Sequence, residues 1–203
     1  MTATDLVWQH VMVNAKRSWL HGDERGFRSR RHRVHSSGDH KHPPPTREHE
    51  DLRLYHRERS GKAVSFALCA RVAILRAFVI KMRKLDRRII ACTVAKQHLH
   101  GLAELPDAYR DVKEVLGKCK QYASHQAPIV GSIWSEGFKR ELIRDKRHLH
   151  NTYAYLRCKQ EAGTVVWSHR PEENWIDHPE LGVIAMLRGR MRTRIVPKPR
   201  PLV

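Results

Sequence analysis

Residues Ile89–Leu105 read IIACTVAKQHLHGLAEL. The stretch opens as a run of apolar and β-branched side chains and reaches two histidines, His98 and His100, with Leu99 between them. Side chains i and i+2 of a strand point to the same face. The spacing therefore predicts that both imidazoles stand side by side while Leu99 packs into the core behind them. Two imidazoles on one face of a rigid central strand can hold a divalent metal. The plainer alternative is an ordinary strand with two surface histidines. The chain has 15 histidines, and His148 and His150 repeat the same spacing.

The whole chain sets the partner class. At 203 residues it has the length of one domain with extensions, and 40% hydrophobic residues suffice for one core. Lys and Arg number 39 against 21 Asp and Glu, a formal charge of +18. Such an excess repels itself unless a polyanion is near. Nucleic acid is the first partner this suggests, and an acidic membrane surface the second. No apolar run reaches the roughly 18 residues of a membrane-crossing helix, and MTATDLVWQHVMVNAKR lacks the basic start and long apolar run of a secretory signal. Cys69, Cys92, Cys119 and Cys158 show no CxxC pairing, so they are expected as buried, reduced thiols. Together these features predict a cytoplasmic, nucleoid-associated protein.

Working outward from Ile89–Leu105, residues 6–14 alternate as a first strand. Residues 28–60 are rich in Arg and His, contain Pro43, Pro44 and Pro45, and carry almost no apolar residue before Leu52. They are expected as an irregular basic insertion. His32, His35, His40 and His42 lie there without regular ligand spacing or a Cys pair, so phosphate contact is favoured over zinc. AVSFALC, residues 63–69, is expected as a strand. A helix follows over 70–88, with Val72, Leu75, Phe78, Val79, Met82 and Leu85 on one stripe. After Leu105, Pro106 and Asp107 start a second helix through 125, with Val112, Val115, Leu116, Cys119 and Tyr122 on its apolar side. SIWSEGFKRELI gives a strand presenting Phe138, Arg140 and Leu142 together. A third helix runs from about 146 to 161, and TVVW, residues 164–167, closes the order. Strands alternating with packed helices predict an α+β fold: a ferredoxin-like split βαβ antiparallel sheet with helices on one face and the other open to a long ligand. The domain is expected to span 1–167, with 168–203 a basic, Pro-rich extension.

The third helix carries a second signal. Leu149, Tyr153 and Leu156 share one face, an apolar seam. His148, Thr152, Tyr155 and Lys159 share a different, polar face. Tyr153 is then a core tyrosine, and Tyr155 is either a surface residue or a nucleophile. A phenol has a reference pKa near 10, so as a nucleophile it needs a cation or a polarised phosphate beside it. A metal on a paired-His strand would supply that polarisation.

The sequence resembles the single-tyrosine HUH transposases of the IS200/IS605-like group, most closely their REP-associated branch. The resemblance rests on Gln97–His98–Leu99–His100, Trp134, Gly137, Phe138, Ile143, Leu149 and Tyr155–Leu156, with SWLHGDERGF at 18–27 in addition. It implies that His98 and His100 hold Mg²⁺ or Mn²⁺, that Tyr155 attacks a scissile phosphate in single-stranded or hairpin DNA to form a 5′-phosphotyrosine intermediate, and that a 3′-OH then rejoins the strands in a transposition-type recombination. Relatives act as monomers or homodimers. Phosphate contacts are expected from Arg30, Arg31, Lys113, Lys120, Arg140, Lys159, Arg190 and Arg192. One departure stands out. The third ligand of relatives lies one helical turn after the tyrosine, where this chain has Lys159, a donor and not a ligand. Gln160 is the neighbouring alternative if the helix is irregular. The competing reading is a catalytically decayed protein that binds hairpin or single-stranded nucleic acid. Such a binder would want an exposed pair of base-stacking aromatics on its sheet, and the strands offer only Trp8, Phe66 and few others.

Overall fold

The computed structural model of the chain describes residues 5–23, 35–37, 42, 45, 47–170, 176–178 and 182–186. Its elements are β1 (Leu6–Asn14), α1 (Glu50–Ser60), α2 (Leu68–Lys84), β2 (Ile89–Val94), β3 (His98–Pro106), α3 (Tyr109–Gln126), β4 (Lys139–Leu142), α4 (Lys146–Cys158), β5 (Val165–Ser168), β6 (Ile176–His178) and β7 (Gly182–Met186). Ile89–Leu105 is a hairpin of two strands, β2 and β3, and the histidines begin the second strand. The turn falls at the polar Lys96 and Gln97, which interrupt the apolar run. Its backbone is bonded on several sides. Lys96 N–H donates to Glu161 Oε1 (3.1 Å). The carbonyls of Lys96 and Gln97 accept from Phe66 and Ala15 N–H, at 2.7 Å each.

The sheet order is β4-β1-β3-β2-β5-β7-β6, with every neighbouring pair antiparallel. The run β1-α2-β2-β3-α3-β4, with spatial order β4-β1-β3-β2, is the expected ferredoxin-like split βαβ arrangement. The sheet continues past the expected domain end at residue 167. β7 pairs with β5, Val165 opposite Met186, and β6 adds outside it. The sequence GVIAM of β7 has the β-branched content that suits a strand.

Two faces of the sheet bury different partners. Val11, Val13, Cys92, Val94, Leu99, Ala103 and Leu105 join Ile74, Leu75, Phe78 and Met82 of α2 and Val112, Leu116 and Cys119 of α3 in the main core. On the opposite face Ala91 and Leu102 pack against Leu156, with Leu149 and Tyr153 beside them. So α2 and α3 share one face, as expected, while α4 roofs part of the face expected to lie open. Its own Leu149–Tyr153–Leu156 seam is the cause.

The structure corrects four further expectations. AVSFALC is not a strand. Val64 and Phe66 donate to the carbonyls of Lys16 and Lys96, and the helix begins at Leu68. Pro106 ends β3 and does not open α3. The expected irregular insertion contains α1, which has acidic Glu50 and Asp51 in its first turn and basic Arg57 and Arg59 in its last, an order that suits the helix dipole. A Cβ on Gly22 would lie 2.4 Å from Arg53 N, so this glycine, at φ +85°, lets residues 16–23 press against α1. Of the four cysteines only Cys92 and Cys119 are buried, while Cys69 and Cys158 are exposed at helix ends.

Gly101, directly after the second histidine, is the close-approach point of the core. A Cβ there would sit 3.3 Å from Val11 Cγ2 and 3.4 Å from Phe78 Cε1, and Phe78 is wholly buried. A branched side chain has no room without moving the ring. Gly101→Val is expected to lower unfolding free energy by about 1–3 kcal/mol, read as a lower urea midpoint. An unchanged midpoint would show that Phe78 can yield.

Candidate active site

The strand pairing assembles the site. In the β1–β3 register Met12 faces His100, Asn14 faces His98 and His10 faces Leu102. Residues directly opposite in an antiparallel pair share a face. Leu99, Gly101 and Ala103 point to α2 and α3, so His98, His100, His10 and Met12 turn to the α4 side. The His98 and His100 rings lie 4.9 Å apart at 88°, and His10 stacks on His100 at 5.1 Å. His10 Nε2 and His100 Nδ1 are 2.9 Å apart, a hydrogen bond.

The tyrosine arrives from α4. Asp145 caps this helix by accepting from His148 N–H at 2.7 Å. Leu156 anchors it, fully buried against the sheet. Tyr155, one residue earlier and about 100° around the helix, overhangs the histidines. Its ring centroid is 6.0 Å from His100 and 6.3 Å from His10, edge-on to both. It is 40% exposed, so the phenol is open to a macromolecular substrate. Tyr153 behaves as the sequence predicts: it packs in the seam and its hydroxyl bonds Ser168 Oγ. The cleft around Tyr155, about 460 Å³, is lined by His10, Met12, His100, Lys139, Arg140, Glu141, Asn151 and Thr152.

His100 is held neutral. Burial, then the neighbouring His98, His10 and Lys139, push its pKa down to about 2. Burial likewise lowers that of His10, against the opposing pull of Glu141. A neutral imidazole keeps a lone pair, which is the form a metal ligand needs. Among the described residues, no group of three or more His, Cys, Asp and Glu side chains is arranged to hold a metal ion. Donors for Mg²⁺ or Mn²⁺ would therefore be the two histidines with an amide or water oxygen. Imidazole is softer than the oxygen donors these ions favour, so coordination there would lean on the amide and water oxygens.

Lys159 and Gln160 part company at the end of α4. The helix stops at Cys158, and Lys159 is an exposed C-cap at φ −115°, ψ 17°. The next residue turns inward: Gln160 is 4% exposed and donates through Nε2 to the Tyr155 carbonyl at 3.4 Å. Beyond the helix end Gln160 is not held to the roughly 100° per residue that would turn it away from Tyr155. Lys159→Gln is expected to leave Mn²⁺ affinity unchanged, whereas Gln160→Ala weakens it severalfold in isothermal titration. A gain from Lys159→Gln would restore position 159 as the ligand position.

The other expected phosphate contacts scatter. Arg140 lines the cleft, with Nη1 on the Asp107 carbonyl (2.6 Å) and its guanidinium over Tyr109. Lys120 gives its ammonium to the carbonyls of Ser135 (2.7 Å) and Gly137 (3.3 Å), so it anchors the loop before β4. Lys113 is exposed on α3, the helix packed on the other side of the sheet. Arg30, Arg31, Arg190 and Arg192 lie outside the described residues, as do His32 and His40. Sequence reading missed His10, Lys139 and Glu141. The alternation of Trp8, His10 and Met12 does put His10 on one face of β1, but only the register reveals that this face meets His100.

No helix among the described residues is long and apolar enough to cross a membrane. The sequence matches no family profile and no curated protein. Among solved structures the chain is similar to a REP-associated tyrosine transposase bound to a REP hairpin, with a TM-score of 0.41 and 16% sequence identity over 77% of this chain and 68% of the other. A likeness of that degree bears on neither activity nor the role of any residue.

Proposed function

We propose that the chain cleaves and rejoins single-stranded or hairpin DNA by transesterification at Tyr155, in the manner of the single-tyrosine HUH transposases its motifs resemble. The observation that carries this reading is the meeting of Tyr155, from α4, with His100, from β3, inside a cleft that also holds Lys139 and Arg140, with His98 beside His100 on the same strand. In the proposed step Tyr155 Oη attacks a backbone phosphorus. The bond to the 3′ oxygen breaks and a 5′-phosphotyrosine forms. The phenolic proton leaves Tyr155 and the departing 3′ oxygen gains one, so one phosphodiester replaces another without an external energy source. The free 3′-OH reverses the step on the same or another strand.

His98 and His100, with Gln160 as an oxygen donor, would hold Mg²⁺ or Mn²⁺, and the bound charge would polarise the phosphate. The chain's own groups do the rest. Lys139 and Arg140 attract the DNA backbone. α4, pinned by its cap and seam, fixes the direction of attack.

One observation favours the second reading, binding without chemistry. Although His10 meets His100, no group of three or more His, Cys, Asp and Glu side chains among the described residues is arranged to hold a metal ion. Hairpin-bearing single-stranded oligonucleotides incubated with the protein and Mn²⁺ separate the two. A covalent protein–DNA adduct on a denaturing gel supports strand transfer. Salt-sensitive binding with no adduct leaves the binder alone.

A further inference from the structure

We infer that Glu141 and His10 act as positioning residues that fix the tautomer of His100, leaving its lone pair on Nε2. This rests on the proposed role of His100 only for its consequence and not for its geometry.

One proton lies between His10 Nε2 and His100 Nδ1, 2.9 Å apart. Two arrangements are possible for a pair of neutral imidazoles. In the first, His100 Nδ1–H donates, His10 Nε2 accepts, and the second proton of the pair sits on His10 Nδ1. In the second, His10 Nε2–H donates, His10 Nδ1 carries a lone pair, and His100 holds its proton on Nε2. What faces His10 Nδ1 decides between them, and that is a carboxylate: Glu141 Oε2 lies 4.0 Å away. The sheet dictates this neighbour, because Glu141 is directly opposite His10 in the β1–β4 register. The other oxygen of Glu141 is engaged elsewhere, 3.5 Å from His148 Nε2. A lone pair turned to a carboxylate is repelled, and an N–H dipole is attracted. With the His10 side chain only 16% exposed, solvent screens this difference poorly. The first arrangement is therefore favoured.

The consequence is an ordered chain, carboxylate to imidazole to imidazole, running from the edge strand β4 through β1 to β3. Ligand histidines are commonly fixed this way by an outer carboxylate or carbonyl, at about 10–100-fold in metal affinity. Here the carboxylate acts at one remove. His10 is then neither ligand nor nucleophile. It transmits the orientation.

The test uses the full chain with ¹⁵N-labelled histidines and long-range ¹H–¹⁵N correlation spectra, with no metal or DNA added. Both His10 and His100 are expected as Nδ1–H tautomers. Glu141 is half-exposed, so Glu141→Gln keeps the fold, and it should move part of the His100 population to Nε2–H. His10→Leu, which removes the acceptor, should do the same, with the dispersion of the spectra reporting that the protein remains folded. Finding His100 as Nε2–H in the wild type, or unmoved in Glu141→Gln, overturns the inference. Mn²⁺ titration of the same Glu141→Gln protein should show about tenfold weaker binding. A shifted tautomer with unchanged Mn²⁺ affinity would instead sustain the tautomer assignment and count against His100 as a ligand, so the two failures are distinguishable.

Discussion

Tyr155→Phe is expected to abolish the covalent protein–DNA adduct, a fall of at least about 10³-fold, since a covalent step without its nucleophile has no substitute at hand. The change removes one oxygen and keeps the ring. At 40% exposure Tyr155 contributes little to the core, so the variant should unfold within about 0.5 kcal/mol of the parent. It should also bind the same oligonucleotides with nearly the same affinity, because phosphate contacts carry most of that. Tyr153→Phe is the matched control. It loses the bond to Ser168, and that should reduce stability by about 1 kcal/mol while leaving the adduct in place. An adduct that survives in Tyr155→Phe, or that depends on Tyr153 instead, would refute the assignment of the nucleophile.

His98→Ala should be nearly as damaging to cleavage and far less so to binding. If His98 helps to hold the cation, its loss removes several kcal/mol of phosphate polarisation. At one decade per 1.36 kcal/mol, cleavage should fall by about 10²–10⁴. His98 is only partly buried at the start of β3 and its neighbour Leu99 carries the packing, so the fold should persist. The informative comparison is between rates of strand cleavage and oligonucleotide affinity, each measured across a salt series. Cleavage should collapse while the salt slope stays put, because the slope counts phosphate contacts. A parallel loss of affinity would mean that His98 supports the shape of the cleft and not its chemistry.

Much of this site was legible before any coordinates. The i, i+2 spacing of His98 and His100 fixed their common face, and the helical spacing of Leu149, Tyr153 and Leu156 separated the core tyrosine from the exposed one. Both are local periodicities, which a sequence carries directly. The break between β2 and β3, Lys96–Gln97, is only two polar residues inside a long apolar run, so the pattern reads as one strand where the chain makes two. AVSFALC alternates as a strand would, yet its donors go to single carbonyls of neighbouring turns and not to a ladder. α4 ends at Cys158 and not at about 161, so Lys159 is left exposed while Gln160 turns inward. His10 and Glu141 were invisible for a different reason. They are 90 and 41 positions from His100 and meet it only through the register of three strands, a long-range property that no short window contains.

The bond from Glu161 to the backbone of Lys96 ties the segment after α4 to the turn that launches His98. Asp145 holds the other end of the same helix. A change that frees Lys96 from Glu161 therefore reaches both the strand that carries the histidines and the segment that follows the tyrosine helix.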